Sequence, residues 1–231
     1  MTQVFIISAP SGSGKSTLVT AIKQLVDRLD FSVSYTTRPP RGSEENGREY
    51  YYTSREVFER MIARGEFLEY ADVFGNYYGT AKKFRDDAIT RGHDLLLDID
   101  VQGASQLQSG LPDAVSIFIL PPNKQELEKR LRRRSSAERM TDEAIIKRRL
   151  ETATREIEKY TEYDYILVND QLGDSIEALK AIILTERLRA AGRQPTRADE
   201  QTLAELAHSR KLENVRPTLG PILDSFRKTT V

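Results

Sequence analysis

The stretch Ala9-Pro10-Ser11-Gly12-Ser13-Gly14-Lys15-Ser16-Thr17 lies between a short apolar run, Val4-Phe5-Ile6-Ile7, and the residues Leu18, Ile22, Leu25 and Leu29. The apolar run reads as a buried strand. The four aliphatic residues recur at helical spacing and read as a helix with one face on a core. A glycine-rich turn between strand and helix is the context of a phosphate-binding loop. Gly12 and Gly14 let the backbone come close to phosphate oxygens. The amides at the helix start then point at the anion, aided by the helix dipole. Lys15 can reach the outer phosphates, and the Ser16 hydroxyl can hold Mg²⁺. Ala9 stands where the pattern G-x-x-x-x-G-K-[ST] has its first glycine. A methyl group is tolerated at the strand exit provided φ stays negative. A plain Gly/Ser connector is the bland alternative, and the correct flanking elements argue against it.

A chain of 231 residues allows one large domain, or one domain with small inserted lobes. Lys+Arg and Asp+Glu both total 35, so the formal net charge is zero. No global field steers the chain to nucleic acid or to a membrane, and neither is expected as a partner. Cysteine is absent, which excludes disulfides and thiolate chemistry and fits a reducing compartment. The two histidines, His93 and His208, are far apart in sequence, which argues against a zinc site. The N-terminal apolar run is too short for a signal peptide or a membrane span, so a cytoplasmic location is expected.

Strands are expected at Val4–Ser8, Asp94–Asp98, Val115–Leu120 and Tyr165–Val168. Each is followed by a helical pattern, which argues for a parallel sheet covered by helices. Ser54, Thr80, Asn123 and Thr141 mark helix starts, and Gly65, Gly92 and Gly192 mark stops. Two segments break the alternation. Residues 33–80 carry many tyrosines, arginines and glycines around strand-like pieces at Tyr50–Thr53 and Phe67–Val73, as a small inserted lobe would. Residues 124–150 are helical and arginine-rich, interrupted near Ser135-Ser136, as a helical hairpin would be. From Arg193 the chain turns polar, with Pro195, Pro217 and Pro221. That favours a flexible tail over one short helix around Leu203, Leu206 and Ala207.

In the segment Ser34-Tyr35-Thr36-Thr37-Arg38-Pro39-Pro40-Arg41, two prolines hold the backbone extended between two guanidiniums. Each guanidinium offers a planar fork of donors, which suits a phosphate dianion. The hydroxyls of Tyr50 and Tyr78 can complete such a clamp. An arginine pair alone would read as a solvated loop; its company with a phosphate loop tips the balance.

Thr36-Thr37-Arg38-x-x-Arg41-x-x-Glu44-x-x-Gly47-x-x-Tyr50-x-Tyr52 resembles the guanylate kinase signature. Thr53 departs from it, standing where the family has an aliphatic residue or lysine. Further matches follow in order: Phe67-Leu68-Glu69, Gly75-Asn76-Tyr77-Tyr78-Gly79-Thr80, Leu97-Asp98-Ile99-Asp100-Val101-Gln102-Gly103 and Val168-Asn169-Asp170. The resemblance covers residues 2–188. It implies an α/β fold of the P-loop NTPase kind, a parallel sheet with helices on both faces. The core is then 2–32, 81–123 and 151–188, with an inserted mixed α/β GMP-binding lobe at 33–80 and a helical lid at 124–150. Residues 189–231 are left as a polar C-terminal tail.

The resemblance implies Mg²⁺-dependent transfer of the γ-phosphoryl group of ATP to GMP, with dGMP as a further acceptor, in purine nucleotide metabolism. ATP falls to Ala9 through Thr17 and to Asn169. GMP falls to Ser34, Arg38, Arg41, Tyr50, Glu69, Tyr78, Thr80 and Asp100. Lys15, Arg38, Arg134 and Arg149 supply positive charge to the transferring phosphates, and Ser16 and Asp98 serve the metal, partly through water. The chemistry agrees with the carry-over. The Glu69 carboxylate only accepts, and guanine offers adjacent N1–H and N2–H₂ donors where adenine has a bare N1. Thr80 can donate to guanine O6. Asp98 ends an apolar strand as a metal-binding aspartate does, and Asp100 shares its face. The sequence leaves open which of the two serves metal and which guanine.

The run Lys129-Arg130-Leu131-Arg132-Arg133-Arg134 also admits a nucleic-acid reading, which the neutral chain disfavours. Arg132, Arg133 and Arg148 read as solvated, or as supporting the phosphate-binding residues without touching phosphate. A non-catalytic guanylate-kinase-like module that binds phosphopeptides would lack the loop lysine or the lid arginines, and Lys15, Ser16 and Arg134 are present. A kinase of another small phosphate would not need Glu69 and Thr80. No pattern encodes oligomeric state, and a homo-oligomer stays open.

Overall fold

The computed structural model describes residues 2–42, 44–73, 75–137 and 143–227. Its first half runs β1 (Val4–Ser8), α1 (Lys15–Leu25), β2 (Leu29–Phe31), β3 (Tyr35–Thr36), β4 (Tyr51–Tyr52), α2 (Arg55–Ala63), β5 (Phe67–Val73), β6 (Asn76–Ala81), α3 (Lys83–Arg91), β7 (Asp94–Asp98) and α4 (Val101–Gly110). Then follow β8 (Val115–Leu120), α5 (Lys124–Ala137), α6 (Glu143–Ile157), β9 (Tyr165–Val168), α7 (Leu172–Ala190), α8 (Ala198–Ser209), α9 (Leu212–Val215) and α10 (Gly220–Phe226). Parallel strands alternating with helices make this a P-loop NTPase α/β fold. The chain divides into two compact units, Met1–Ile7 with Asp27–Val115, and Ser8–Val26 with Ser116–Val231.

In the first unit β2, β7 and β1 pair parallel, in that order, with Val4 opposite Leu95 and Leu29 opposite Asp94. Phe5, Ile6, Ile7, Leu95, Leu96 and Leu97 are fully buried, which is why both strands read as unbroken apolar runs. A second sheet has the order β4-β3-β6-β5, parallel between β3 and β4 and antiparallel elsewhere. Its core is Phe58, Phe67 and Ala81, with Tyr35, Met61, Ile62, Tyr77 and Phe84 packed around them. Phe58 stacks on Phe67 at 4.4 Å and on Tyr77 at 5.2 Å. Ser54 caps α2 as expected, its side chain accepting from the Val57 amide at 3.2 Å.

In the second unit β8 and β9 pair parallel, Ile117 opposite Tyr165. α1 packs on α7, α7 on α8, and α5 on α6. Asn123 accepts from the Glu126 amide at 2.8 Å and so starts α5.

The four strands expected from apolar runs have the expected bounds. Other expectations need correction. Leu29 lies in β2, not on the helix, because Arg28 turns the chain with φ 53°; α1 ends at Leu25, which is exposed. Thr80 lies inside β6, and α3 starts at Lys83, with Lys82 at its N-cap. The arginine-rich helix runs through Ser135-Ser136 to Ala137, with Ser135 fully buried. Thr141 lies outside the described residues.

The largest correction is the tail. Its residues form α8, α9 and α10, and Ala207, Val215, Leu219 and Phe226 are buried. Arg210 O accepts from the Ile166 amide and Leu212 N donates to Asp164 O, both at 2.9 Å, so the tail pairs with β9. Pro217 and Pro221 occupy first turns of short helices, where no N–H is needed. Read as breakers, they conceal the helices they begin.

Candidate active site

In the phosphate loop, Gly12 and Gly14 have φ of 90° and 91°, and the Ser13 amide donates to Pro10 O at 3.1 Å. Ala9 keeps a negative φ, as its methyl group requires. Gly14 caps α1, so Lys15 and Ser16 fall in the first turn. A β carbon on Gly14 would lie 2.3 Å from Asn169 Nδ2, and one on Gly12 3.0 Å from Leu127 and Leu131 of α5. The loop is thus packed as well as bent. Ser13 O accepts from Asn169 Nδ2 at 2.7 Å and from Arg130 Nη1 at 3.5 Å, and Arg130 Nη1 also reaches Asn169 O at 3.1 Å. The Asn169 amide is itself held by Leu120 O at 2.7 Å. The Ser13 hydroxyl is buried with no hydrogen-bond partner among the described residues. Arg134 is exposed on α5, and on α6 Arg149 Nη1 donates to Ser135 Oγ at 3.2 Å. Arg130 escapes sequence reading because it stands in a run of similar arginines; only the packing of α5 aims it at the loop.

The other unit holds two clusters. In the first, Arg38 is 6% exposed, with its guanidinium carbon 5.4 Å from the Tyr50 ring centre and 5.9 Å from that of Tyr52. Its Nη2 donates to both oxygens of Glu44, at 3.1 and 2.9 Å, and its Nη1 to Pro39 O at 2.8 Å. Glu44 Oε2 also accepts from the Arg41 amide and the Tyr52 hydroxyl, each at 2.8 Å. Glu44 therefore organises the cluster, although sequence reading gives it only as a motif letter. Its carboxyl lies below the ordinary value because the Arg41 amide, Tyr52 and Arg38 outweigh its burial. Tyr50 meets Tyr78 edge to face at 5.7 Å. Burial, and then the charge of Asp98, push the Tyr50 hydroxyl up to about 12. The Arg41 side chain is exposed at the rim.

In the second cluster a β-bulge sets the geometry. Phe67 pairs with Ala81, yet Glu69 pairs with Thr80, so Leu68 is the extra residue. Phe67 consequently joins the aromatic core while Glu69, two residues on, sits beside Thr80. Thr80 Oγ1 donates to Glu69 Oε1 at 2.7 Å and lies 3.5 Å from Ser34 Oγ. Glu69 is 5% exposed and Thr80 fully buried. Burial pushes the Glu69 carboxyl up to about 7, and the neighbouring charge of Asp100 adds to the rise. Asp100 caps α4, accepting from the Gly103 amide at 2.7 Å. Of the two aspartates, Asp98 adds its charge to the surroundings of Tyr50 and Asp100 to those of Glu69.

The family model described as Guanylate kinase matches residues 1–186. A protein named guanylate kinase from Koribacter versatilis (strain Ellin345) is 53% identical over 227 residues, covering 98% of this chain and 97% of its own. One from Methylococcus capsulatus (strain ATCC 33009 / NCIMB 11132 / Bath) is 47% identical over 197 residues, covering 84% of this chain and 95% of its own. The crystal structure of guanylate kinase from Anaplasma phagocytophilum superposes with a TM-score of 0.63 at 30% identity, covering 95% and 94% of the two chains. With a match from first strand to α7 and relatives alike over nearly their whole length, the chain belongs to the guanylate kinase family.

Proposed function

We infer that this chain transfers the γ-phosphoryl group of ATP to GMP, giving ADP and GDP. The observation that carries the reading is the buried Glu69–Thr80 pair, an acceptor beside a hydroxyl at 2.7 Å. Glu69 takes the guanine N1–H and N2–H₂ donors, Thr80 turns its hydroxyl to O6, and Asp100 and Ser34 complete the base site. Arg38, Arg41, Tyr50 and Tyr78 hold the GMP phosphate, with Glu44 keeping the Arg38 fork in its plane until the dianion arrives. On the donor side the loop amides, Lys15 and the buried Ser13 hydroxyl receive the ATP phosphates, and Asn169 lies at the adenine end.

Phosphoryl transfer asks a protein mainly for positioning and positive charge. Lys15, Arg38, Arg134 and Arg149 supply that charge. Ser16 and Asp98 are hard oxygen donors, which suits Mg²⁺ held by one carboxylate, one hydroxyl and substrate phosphates; no cluster of three acidic or histidine ligands exists among the described residues. Ser16 and Asp98 would hold Mg²⁺, which would neutralise phosphate charge there. Lys15, Ser16 and the lid arginines favour an enzyme over a phosphopeptide-binding module. The base site is read without the ribose 2′-hydroxyl, so dGMP is an acceptor too. No helix among the described residues is long and apolar enough to cross a membrane, which is compatible with a cytoplasmic enzyme.

A coupled assay of ADP formation with GMP, dGMP, AMP and CMP tests the reading. Turnover with GMP and dGMP and not with the others is expected. Equal turnover of AMP, or none with any, overturns it.

A further inference from the structure

Gly103, in the first turn of α4, meets both carboxylates of the base pocket. Its amide donates to Asp100 Oδ1 at 2.7 Å. Its missing side chain faces Glu69: a β carbon there would lie 2.6 Å from Glu69 Oε2 and 3.2 Å from the carboxyl carbon. The first distance is far inside van der Waals contact, so something would have to move. The carboxyl is not a loose end, since Thr80 Oγ1 holds its other oxygen at 2.7 Å and only 5% of the residue is exposed. Nor does the backbone of Gly103 require glycine, because its φ is not positive. The space, not the conformation, is what the residue type supplies. Gly110 in the same helix has nothing within 4 Å of its would-be β carbon.

We propose that Gly103 is a positioning residue for guanine specificity, its bare α carbon letting the Glu69 carboxyl stand against α4 while its amide fixes Asp100. This rests on the reading above that Glu69 takes the guanine donors. A methyl at 103 drives the carboxyl off the line to the N1 and N2 protons. Alanine is the better helix former, so α4 itself does not weaken.

The test compares Gly103→Ala, Gly110→Ala, Glu69→Gln and the double variant Gly103→Ala/Glu69→Gln by steady-state kinetics with GMP, with inosine monophosphate (which lacks the 2-amino group) and with ATP. Gly103→Ala is expected to raise KM for GMP on the order of 10- to 100-fold. It should shrink the preference for GMP over inosine monophosphate and leave KM for ATP unchanged, while Gly110→Ala behaves as the parent. Because both changes act through one carboxylate, the double variant should bind GMP no worse than Glu69→Gln alone. If Glu69→Gln raises KM for GMP and Gly103→Ala does not, the proposal fails and the guanine reading survives. If Glu69→Gln changes neither KM nor preference, both fall. Additive losses in the double variant also overturn the proposal. Where Gly103→Ala does not fold, Glu69→Asp in the same chain, with its carboxyl one carbon further back, should restore soluble protein. A double variant that stays insoluble counts against the clash.

Discussion

Glu69 carries a pH dependence with two readouts. Its carboxyl is pushed up to about 7, first by burial and then by Asp100. On the reading that Glu69 takes the guanine donors, it must be charged to bind, so kcat/KM for GMP should fall roughly tenfold per pH unit below about 7, the slope of one obligatory deprotonation. GMP phosphate titrates nearby, at about 6. The diagnostic comparison is therefore with Glu69→Gln, which should lose the limb belonging to Glu69 and keep that of the phosphate. Stability runs the opposite way. Between the ordinary carboxyl value of 4.5 and about 7 the folded protein holds a proton that the unfolded chain has released. Stability thus falls as pH rises across that window and is level above it. Thermal melts of the parent and of Glu69→Gln across this range should diverge in that sense; parallel curves would remove Glu69 as the cause. Gly14 is a second residue-scale test. Alanine there would hold φ near 91° and drive a β carbon to 2.3 Å from Asn169 Nδ2. Gly14→Ala should cost about 1–3 kcal/mol from the backbone alone and raise KM for ATP, measured by denaturant melts and kinetics. Glycines and the lysine of the loop are legible in the sequence because their spacing is local. The contacts of Asn169 and Arg130 with Ser13 O are not, because they join residues more than a hundred positions apart.

Among the elements, the four-stranded lobe shows what patterning hides. Its strands β3 and β4 have two residues each; β3 is too short for any alternation to appear, while β4 falls inside the strand-like piece Tyr50–Thr53. They exist because β6 and the Phe58 cluster hold them. In β5, which has the bounds read from the sequence, the Leu68 bulge shifts the pairing register with β6 and so brings Glu69 to Thr80. The lobe's small core makes a sharp prediction. Phe58→Ala removes the ring that stacks on both Phe67 and Tyr77 and should destabilise by about 3–5 kcal/mol. If the lobe is the GMP site, KM for GMP should rise while KM for ATP holds. A variant equally impaired for both nucleotides would deny the lobe that separate role. The buried parallel strands, by contrast, announce themselves as apolar runs, and their bounds agree with the reading to the residue.

Across the whole molecule, the segment beyond α7 bears on stability. α10 packs on α5, with the Lys124 amide donating to Ser225 Oγ at 3.0 Å, and α5 in turn lays Leu127 and Leu131 over Gly12. Val215, Leu219 and Phe226 are buried, and burial of each such side chain is worth about 1.5–3 kcal/mol. Typical domains have about 5–15 kcal/mol in all. Deleting 193–231 should therefore lower the melting temperature markedly or leave the protein insoluble. A truncated chain that melts like the parent by calorimetry would return the tail to a mere appendage.

Local spacing determined the phosphate loop, four of the parallel strands, the Arg38-Arg41 segment and, through several ordered motifs, the family. These are signals carried by neighbouring residues, and neighbours share a backbone geometry whatever surrounds them. Only the tertiary structure decided which arginine of α5 serves the loop, which aspartate faces Glu69, and why residue 103 has no side chain. It also decided that a polar, proline-marked segment folds, because its sparse apolar residues become a buried face only against β9, α5 and α7. Such facts depend on which distant surfaces meet, and no window along the chain contains them.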